Sequence, residues 1–470
     1  MSRLTFSILE SQRETLRKLL FRDENEYGAL LLCGRSRHRD PWTREIEDRF
    51  IVREIIDVEE REFLSRTKTS MTWSTTPFYK LLKRAEANQM AVAVVHSHPT
   101  GAPAFSTRDD KADQEMFRIA FDRLEGDLHH LAIVMDRHGE IIVRAYSSDL
   151  KPEAISFVRA IGDRWNFRYP ERGRGEILKE LDRQVRAFGP ASTQDLAHLR
   201  IGVVGCGGTG SAVITMLSRI GIRQLALFDA DYVDSTTLNR MYFSTRADAN
   251  LSRLKVDVTG EAVAGLGLPI SIVKYPFLIG DDRCRDALCA CDIIFGCTDD
   301  HLGRNMLNHL AYFYFIPIID LGLLIEPSKD EVGYDVFDGR VTVVQPGYPC
   351  QICRGLIKTD EMLSESLRRS DPVLYQQRRR AGYVVGAPDP SPVVVTFTTE
   401  VATMAINELF QRLNQFRGEE GHCSERVRRF NEVKDADTVP GGSSQPGCLL
   451  CHRRKYDGRG DMEPFLNLTP

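Results

Sequence analysis

The hydrophobic residues in the second half of the chain form short β-branched runs, separated by glycines and by stretches with helical spacing. A run at 201–204 precedes a glycine cluster, a helix-like stretch at 211–220, and a second run at 224–228 that ends before Asp229. Strands of a parallel sheet are buried on both faces and therefore show continuous apolar runs. The pattern predicts a strand–turn–helix–strand unit within a mostly parallel sheet.

The same pattern predicts further elements on both sides of this unit. After it we expect a helix at 253–264 and strands at 270–275, 293–296, 316–321 and 341–345. Before it we expect helices at 4–20, 77–86 and 106–124, strands at 29–33, 51–58 and 90–95, and a hairpin within 133–146.

Two structural units follow from this arrangement, and the fold class is α/β. Residues 1–150 are predicted as an α+β unit, and residues 176–470 as a Rossmann-like unit that a helix at 176–188 opens. Between them, 151–175 is predicted as a linker that starts with a helix at 151–165 and ends in a charged, glycine-containing stretch.

Composition adds limits on partners and location. Hydrophobic residues make up 42% and charged residues 27% of the 470 residues, as in soluble globular proteins. The net charge of -4 gives no reason to expect nucleic acid as a partner. No signal peptide is recognisable, and the apolar stretch 310–325 is interrupted by Pro317 and Asp320, so we expect no membrane span. Two CxxC pairs without a secretory signal favour metal binding and a cytoplasmic location.

Four glycines lie at the turn between the first predicted strand of the unit and its helix: Gly205, Gly207, Gly208 and Gly210. Glycine lets the backbone approach phosphates closely, and the following helix N-terminus supplies unpaired N–H groups. Asp229 ends the next strand, where a carboxylate can hold ribose hydroxyls. This stretch predicts a nucleotide-binding site.

The charged residues that follow separate two classes of nucleotide enzyme. Asp231, Arg240, Lys255 and Asp299 add two carboxylates and two cations after the glycine turn. Arg240 and Lys255 can neutralise a leaving diphosphate, and Asp299 at a strand end can hold Mg²⁺. Nicotinamide dehydrogenases need no such set, so the pattern favours ATP; a plain Rossmann domain that binds a nicotinamide is the alternative.

In these motifs the chain resembles the ThiF/MoeB family, the adenylating core of ubiquitin-activating enzymes, from about residue 181 to 451. The resemblance implies that Asp229 binds ribose, that Arg240 and Lys255 bind phosphates, and that Asp299 binds Mg²⁺. It also implies a homodimer, because Arg183 would reach the ATP of the neighbouring subunit. The family usually has Asn where this chain has Thr237, which keeps a hydroxyl but lacks the amide donor.

A second candidate site lies in the first unit. His96 and His98 are two residues apart in a predicted strand, so both side chains point to one face. Asp109 falls in the first turn of the next predicted helix. Two imidazoles and one carboxylate leave the fourth zinc position open, as in catalytic sites. The alternative is that Ser106 and Asp109 form only a helix capping box.

This segment resembles the JAMM motif of the JAB/MPN metalloproteases. The resemblance implies that His96, His98 and Asp109 are zinc ligands, that Glu26 is the general base, and that Ser106 helps to hold the oxyanion. Glu24 is a nearby alternative for the base. Family members cut peptide or isopeptide bonds after the C-terminal glycine of ubiquitin-like proteins.

The two CxxC pairs are Cys350/Cys353 and Cys448/Cys451. Four thiolates in two such turns predict a structural zinc site, and the ThiF/MoeB family uses a split site of this kind. One alternative is that the two CxxC turns are unrelated and share no metal. Another is that His452 serves as a ligand.

Ubiquitin-activating enzymes transfer the adenylated carboxylate to a cysteine, which in simpler family members follows the first CxxC pair. Residues 358–386 hold no cysteine, and Cys423 is the only one between the two zinc pairs. His422, Arg426 and Arg428 could lower the pKa of its thiol and make it a thioester nucleophile. An inert thiol is the equal alternative.

Together the two resemblances predict a bifunctional enzyme of a bacterial ubiquitin-like protein system, some members of which serve in antiviral defence. One site would adenylate a C-terminal glycine with ATP and Mg²⁺, and the other would use Zn²⁺ to cleave precursors or conjugates. The expected partners are a ubiquitin-like protein with a glycine tail and a ubiquitin-conjugating-like enzyme. Sulfur-carrier activation, or a binding scaffold with one inactive site, are the alternatives.

Overall fold

The computed structural model describes residues 3–101, 103–169, 177–328, 333–380, 392–434, 436–440 and 442–462. Within the cysteine-free stretch considered above, residues 381–386 lie outside the described residues.

The first half of the chain builds a nine-stranded mixed sheet with the strand order β11-β10-β1-β3-β2-β6-β7-β8-β9 and a separate two-stranded hairpin, β4-β5. In chain order the elements are β1 (Arg3–Leu9), α1 (Glu10–Leu20), β2 (Gly28–Arg39), β3 (Ile46–Asp57), β4 (Phe63–Thr67), β5 (Ser70–Trp73), α2 (Thr76–Asn88), β6 (Ala91–His98), α3 (Thr107–Arg123), β7 (His130–Asp136), β8 (Ile141–Tyr146), β9 (Pro152–Ala154), β10 (Phe157–Ile161) and β11 (Asn166–Arg168).

The second half builds an eight-stranded sheet with the order β14-β13-β12-β15-β16-β17-β18-β19, whose first five strands are parallel. Its elements are α4 (Asp182–His198), β12 (Arg200–Val204), α5 (Gly208–Leu217), β13 (Gln224–Phe228), α6 (Arg246–Asn250), α7 (Lys255–Ala264), β14 (Ser271–Tyr275), α8 (Asp282–Ala290), β15 (Ile293–Gly296), α9 (His301–Tyr314), β16 (Ile318–Pro327), β17 (Tyr334–Val344), α10 (Thr359–Ser370), α11 (Pro372–Arg380), α12 (Val395–Asn414), β18 (Glu425–Arg429) and β19 (Asp437–Thr438). The predicted α/β class with a mostly parallel second sheet is confirmed.

Two sequence predictions are wrong. The helix expected at 4–20 is a strand, β1, followed without a turn by α1. The helix expected at 151–165 consists of strands β9 and β10, so the described part of the predicted linker extends the first sheet. In β1 the period of two that marks a strand is present, since Leu4, Phe6 and Ile8 alternate with Thr5 and Ser7, and the predicted helix began too early. In β10 the charged Arg159 interrupts an otherwise apolar run.

The two sheets share one hydrophobic core. Leu9 of β1, Ile51 of β3 and Phe157 of β10 project from one face of the first sheet into the apolar cluster that surrounds β12 and β15. The opposite face of the same strands packs on α1 through residues such as Phe6 and Phe50. The first sheet is therefore buried on both faces where it meets the second.

A buried ion cluster lies in this contact. Its centre is Glu47 on β3, whose side chain is fully buried. One carboxylate oxygen, Oε2, accepts hydrogen bonds from Arg3 at 3.2 Å and from Arg200, the first residue of β12, at 2.8 Å. The other, Oε1, accepts from Thr5 at 2.9 Å and from Arg159 at 3.2 Å.

The cluster continues into the second sheet through Asp292, which directly precedes β15. Asp292 Oδ1 accepts from Arg159 Nε at 3.0 Å, and its Oδ2 accepts from the backbone N–H of Arg200 at 3.0 Å. Burial favours protonation of Glu47, but Arg159, Arg3 and Arg49 outweigh it and hold the pKa of Glu47 well below its usual range. The carboxylate is thus ionised in the folded protein at neutral pH.

A C-terminal strap, residues 458–461, also joins the two units. β2 pairs with β6 only from Gly28 to Cys33. Gly460 of the strap forms a parallel bridge with Arg35, which lies on β2 beyond that pairing. Asp461 accepts hydrogen bonds from the backbone N–H of Arg37 at 2.6 Å and from Tyr314 at the end of α9 at 3.0 Å. A Cβ at Gly460 would lie 2.1 Å from the Arg35 carbonyl oxygen, so glycine is required there.

None of the helices in the described ranges has both the length and the apolar character needed to cross a bilayer.

Glu47→Gln tests the role of the ion cluster. Removing this charge leaves buried guanidinium groups unpaired, so we expect the free energy of unfolding to fall by about 3–5 kcal/mol in urea titrations. The folded-state pKa of Glu47 is lowered, so its stabilisation is complete above the unfolded value of about 4.3 and is lost as the pH falls below it. The variant should therefore show a weaker loss of stability between about pH 5 and pH 3.

Glu14→Gln is the matched control, because Glu14 pairs with Arg17 on the exposed face of α1 and should change stability little. A Glu47→Gln protein as stable as the control variant would show that the cluster does not hold the two units together.

Candidate functional sites

The predicted metal ligands meet at the end of β6. His96 Nε2 lies 3.2 Å from His98 Nε2 and 3.4 Å from Asp109 Oδ1. His98 Nε2 lies 3.9 Å from Asp109 Oδ2. Three donor atoms of this group lie within 4.8 Å of one another. The strand places both imidazoles on one face, and the first turn of α3 brings the carboxylate to them.

The donor set fits a zinc ion. With bonds of about 2.0–2.1 Å in a tetrahedral arrangement, ligand atoms are separated by about 3.3 Å. The separations of His96 from the other two ligands are close to that value, and His98 needs only a small movement toward Asp109. Three protein ligands leave a fourth position for water or substrate.

Ser106 caps α3 beside this group. Its backbone N–H donates to Asp109 Oδ2 at 2.7 Å and its hydroxyl donates to the same oxygen at 2.8 Å. Burial raises the pKa of Asp109, but hydrogen bonds from His96 and Ser106 outweigh burial and lower it. The capping box is present, and the carboxylate that takes part in it also faces both histidines.

Glu26 and the three ligands line one cavity of about 290 Å³. Glu26 is 8% exposed, and burial raises the pKa of its carboxyl group, against the charge of His96. Glu24 instead points outward and pairs with Lys68. Of the two glutamates, Glu26 is the one that lines the cavity together with the metal-type group, that is, His96, His98 and Asp109.

The glycine loop lies at the carboxyl end of β12. Gly205 has φ +90°, and a Cβ there would lie 2.7 Å from the carbonyl oxygen of Cys297. A Cβ at Gly210 would lie 1.8 Å from the Gly205 carbonyl oxygen, so both positions require glycine. Gly208 begins α5, and Gly207 faces open space. The loop therefore leaves room for a ligand at the helix N-terminus.

Asp229, Asp231 and Lys255 lie together beyond β13. Asp229 Oδ2 accepts from the backbone N–H of Cys206 in the glycine loop at 2.6 Å, and burial raises its pKa. Lys255 Nζ donates to Asp231 Oδ2 at 2.8 Å. Burial lowers the pKa of Lys255, but Asp229, Asp231 and Asp299 outweigh burial and raise it.

Arg240 and Asp299 complete the group at this edge of the sheet. The aliphatic part of Arg240 covers Gly208, since a Cβ there would lie 3.3 Å from Arg240 Cδ. Asp299 is exposed three residues after β15, whereas Asp300 caps α9 through a hydrogen bond from the Gly303 N–H at 3.1 Å. Thr237 is buried, and its hydroxyl donates to the Asp234 carbonyl at 2.8 Å.

The four cysteines of the two CxxC turns converge, although nearly one hundred residues separate the pairs. Cys350 Sγ lies 3.7 Å from Cys448 Sγ, and Cys353 Sγ lies 3.5 Å from Cys451 Sγ. These separations are near the roughly 3.8 Å expected for thiolates on one tetrahedral zinc, and far beyond a disulfide bond. His452 lies outside this group of four, with its Nδ1 3.4 Å from the Gly447 N–H.

The sequence left two alternatives open for Cys423, a thioester nucleophile activated by its neighbours and an inert thiol. Burial raises the pKa of this thiol and outweighs Arg417, Arg412 and Arg426. This direction favours the inert thiol. Arg183 lies exposed in the first turn of α4.

Sequence reasoning missed two groups around the metal-type site. The hairpin β4-β5 contributes Met71 and Trp73 to the cavity wall. Behind the ligands, Arg144 of β8 binds Asp113 of α3. A usable signal existed only for Asp113, which follows Asp109 by one helical turn and therefore shares its face.

A glycine loop at the carboxyl end of the parallel strands of the second sheet and a histidine–aspartate group where β6 and α3 meet give the protein two candidate sites, one of the kind that binds nucleotides and one of the kind that binds metals. The chain belongs to the ThiF family, whose model matches residues 181–450. Residues 10–147 match the prokaryotic homologues of the JAB domain, so the chain joins a JAB-type domain to a ThiF-type domain.

Curated relatives match the second unit. The molybdopterin-synthase adenylyltransferase of Salmonella typhimurium is 30% identical over 182 residues, which are 38% of this chain and 68% of that protein. The SAMP-activating enzyme E1 of Haloferax volcanii is 25% identical over 179 residues, 37% of this chain and 62% of that protein. The crystal structure of E. coli MccB with ATP is 16% identical, with a TM-score of 0.44, and covers 58% of this chain and 75% of that one.

Cys451→Ser tests the shared thiolate site. We expect the variant to lose one equivalent of zinc in elemental analysis and to unfold at a lower temperature, because the site anchors the segment that leads to the C-terminal strap. Cys423→Ser is the control, since this thiol lies outside the group, and it should retain full zinc content. A soluble, zinc-replete Cys451→Ser protein would show that the two pairs do not share a metal.

Proposed function

We propose that this protein is a bifunctional enzyme that adenylates the C-terminal glycine of a ubiquitin-like protein and also cleaves peptide or isopeptide bonds of its precursors or conjugates. The observation that carries the proposal is that one chain holds both a nucleotide-type loop with Asp229, Lys255 and Asp299 and a metal-type group with a buried glutamate. A carrier with a flexible glycine tail suits both sites, because a tail without side chains can enter narrow clefts.

In the proposed peptidase site, His96, His98 and Asp109 would hold zinc. The ion would supply Lewis acidity toward a water molecule and the scissile carbonyl. Glu26 would take the proton from the attacking water and return it to the leaving amine. Burial raises the pKa of its carboxyl group and so makes the carboxylate a stronger base. The Ser106 hydroxyl, at the edge of the cavity, would release its hydrogen bond to Asp109 Oδ2 and donate instead to the developing oxyanion.

In the proposed adenylating site, a carboxylate oxygen of the terminal glycine would attack the α-phosphorus of ATP and release pyrophosphate. The glycine loop and the N-terminus of α5 would cradle the phosphates, and Asp229 would hold the ribose. Lys255 and Arg240 would balance the charge of the leaving pyrophosphate, and Asp299 would hold Mg²⁺. The Thr237 hydroxyl donates to the Asp234 carbonyl, so this position, where the family usually has asparagine, is assigned no phosphate contact.

The active unit would be a homodimer in which Arg183 reaches the nucleotide of the partner subunit. The exposed position of Arg183 at the start of α4 supports this arrangement. A ubiquitin-conjugating-like enzyme would accept the activated carrier. Cys423 is only partly buried, but the raised pKa of its thiol makes it a weaker candidate for an intermediate acceptor than a residue on such a partner.

Sulfur-carrier activation is the second candidate function. It is favoured by the names of relatives such as the molybdopterin-synthase adenylyltransferase, to which the second unit is 30% identical. Both functions share the adenylation step, but a sulfur carrier would leave the enzyme as a thiocarboxylate. Mass spectrometry of the carrier after incubation with ATP and a sulfur donor distinguishes the two.

Asp299→Ala tests the adenylating site. We expect ATP–pyrophosphate exchange, driven by a ubiquitin-like protein with a Gly-Gly terminus, to fall by about 10²-fold or more, because Mg²⁺ loses its protein ligand. Asp282→Ala, an exposed first-turn aspartate of α8 outside the site, is the control and should exchange at the wild-type rate. Equal exchange by both variants would remove Asp299 from the mechanism.

Glu26→Gln tests the peptidase site. The variant should keep its zinc, because Glu26 is not a ligand, and should lose cleavage of a conjugate of the same carrier by about 10²–10⁴-fold. His96→Ala should lose both zinc and cleavage, while Glu24→Gln should behave as wild type because its side chain points away from the cavity. Normal cleavage by Glu26→Gln would overturn the assignment, and a wild type without zinc at this group would favour a binding scaffold.

A further inference from the structure

Arg144 lies behind the metal-type group and contacts two acidic residues of α3 at once. Its side chain is 10% exposed, and its Nε and Nη2 donate to Asp113 Oδ2 at 3.2 and 2.7 Å. Its Nη1 donates to Asp110 Oδ1 at 2.5 Å. Such forked contacts are specific to the guanidinium group, because a lysine ammonium cannot reach both carboxylates in fixed directions.

These contacts fix the part of α3 that carries a ligand. Asp110 follows Asp109 directly, and Asp113 lies one turn further along on the same helix face. Tyr146, two residues after Arg144 on β8, also donates to Asp113 Oδ2, at 3.2 Å. The first two turns of the helix are thus bound to β8.

Arg144 also contacts the loop that enters the helix. Its guanidinium carbon lies 3.7 Å from the centre of the Phe105 ring, a close cation–π contact. The Phe105 ring meets His96 edge-on, with 6.3 Å between ring centres. One arginine therefore contacts the segments on both sides of Ser106 and Asp109.

We infer that Arg144 is a positioning residue that holds Asp109 at the distance a metal ion requires from His96 and His98, acting through Asp110, Asp113 and Phe105. The inference rests on the proposed zinc site and concerns how this chain builds it. Metal sites accept ligand displacements of only about 0.2 Å, and residues that orient ligands typically contribute 10–100-fold to metal affinity. Without Arg144, the buried carboxylate of Asp113 has lost its cation, and α3 is free to shift toward solvent.

The test is zinc affinity, measured without substrate by competition with a chromogenic chelator of known affinity. The His96→Ala variant, measured in parallel, retains only the zinc held by the four cysteines. The zinc that wild type binds in excess of this variant is therefore the zinc held by His96, His98 and Asp109. We expect Arg144→Gln to bind this zinc about 10–100-fold more weakly than wild type. Arg144→Lys should lie between the two, because it restores the charge and not the fork.

Arg123→Gln is the matched control. Arg123 ends α3 and pairs with the exposed Glu86, so its loss affects the same helix far from the ligands and should leave zinc affinity unchanged. The thermal midpoint of the metal-free proteins separates a loss of positioning from a loss of fold. An Arg144→Gln protein that folds and binds zinc as tightly as Arg123→Gln would overturn the inference.

If Arg144→Gln does not fold, the double variant Asp110→Asn/Phe105→Leu decides, since both residues are partly exposed and their removal spares the buried pair. Zinc binding weakened several-fold supports positioning, and unchanged binding contradicts it. A wild type that holds no more zinc than His96→Ala would instead contradict the proposed peptidase site itself.

Discussion

The mutual pairing of buried charges around Glu47 is the constraint on which the rest of the architecture depends. Guanidinium and carboxylate groups excluded from water are tolerable only when each has a partner, and here the partners come from both sheets. Arg200 and Asp292 lie at the amino ends of β12 and β15, so the first unit must contact the second sheet at the edge where its parallel strands begin. The glycine loop and Asp299 stand at the carboxyl ends of the same strands and stay uncovered.

The same constraint separates the two candidate sites. Gly28 of β2 pairs with His96, whereas Arg37 and Arg39, at the other end of this strand, contact the second unit. About nine residues at 3.3 Å each lie between these ends, so roughly 30 Å separates the metal-type group from the contact. The metal-type group thus lies far from the contact between the two units, and the two proposed reactions would be separate encounters with the carrier.

Local sequence was sufficient where a feature is encoded by neighbouring residues. The glycine loop, Asp229 and the His96–His98 pair each combine a strand end with polar residues a few positions away, and the structure brings these residues together. Local sequence was insufficient for β10, because the charge of Arg159 is typical of a residue on the solvent-facing side of a helix. The partners of Arg159 are Glu47 and Asp292, 112 and 133 residues away, and no local pattern contains them. The charged neighbours of Cys423 likewise gave no sign of the burial that raises the pKa of its thiol.

The C-terminal strap has a consequence for the order of events during synthesis. Residues 458–461 bind the free edge of β2, which leaves the ribosome about 420 residues earlier. At translation rates of about 5–20 residues per second, that edge waits roughly 20–80 seconds for its partner. An unpaired strand edge is a template for association with other chains. The nascent protein therefore passes through a long interval in which neighbouring ribosomes on one message carry chains with the same open edge, and that edge closes only after the strap at 458–461 has been made.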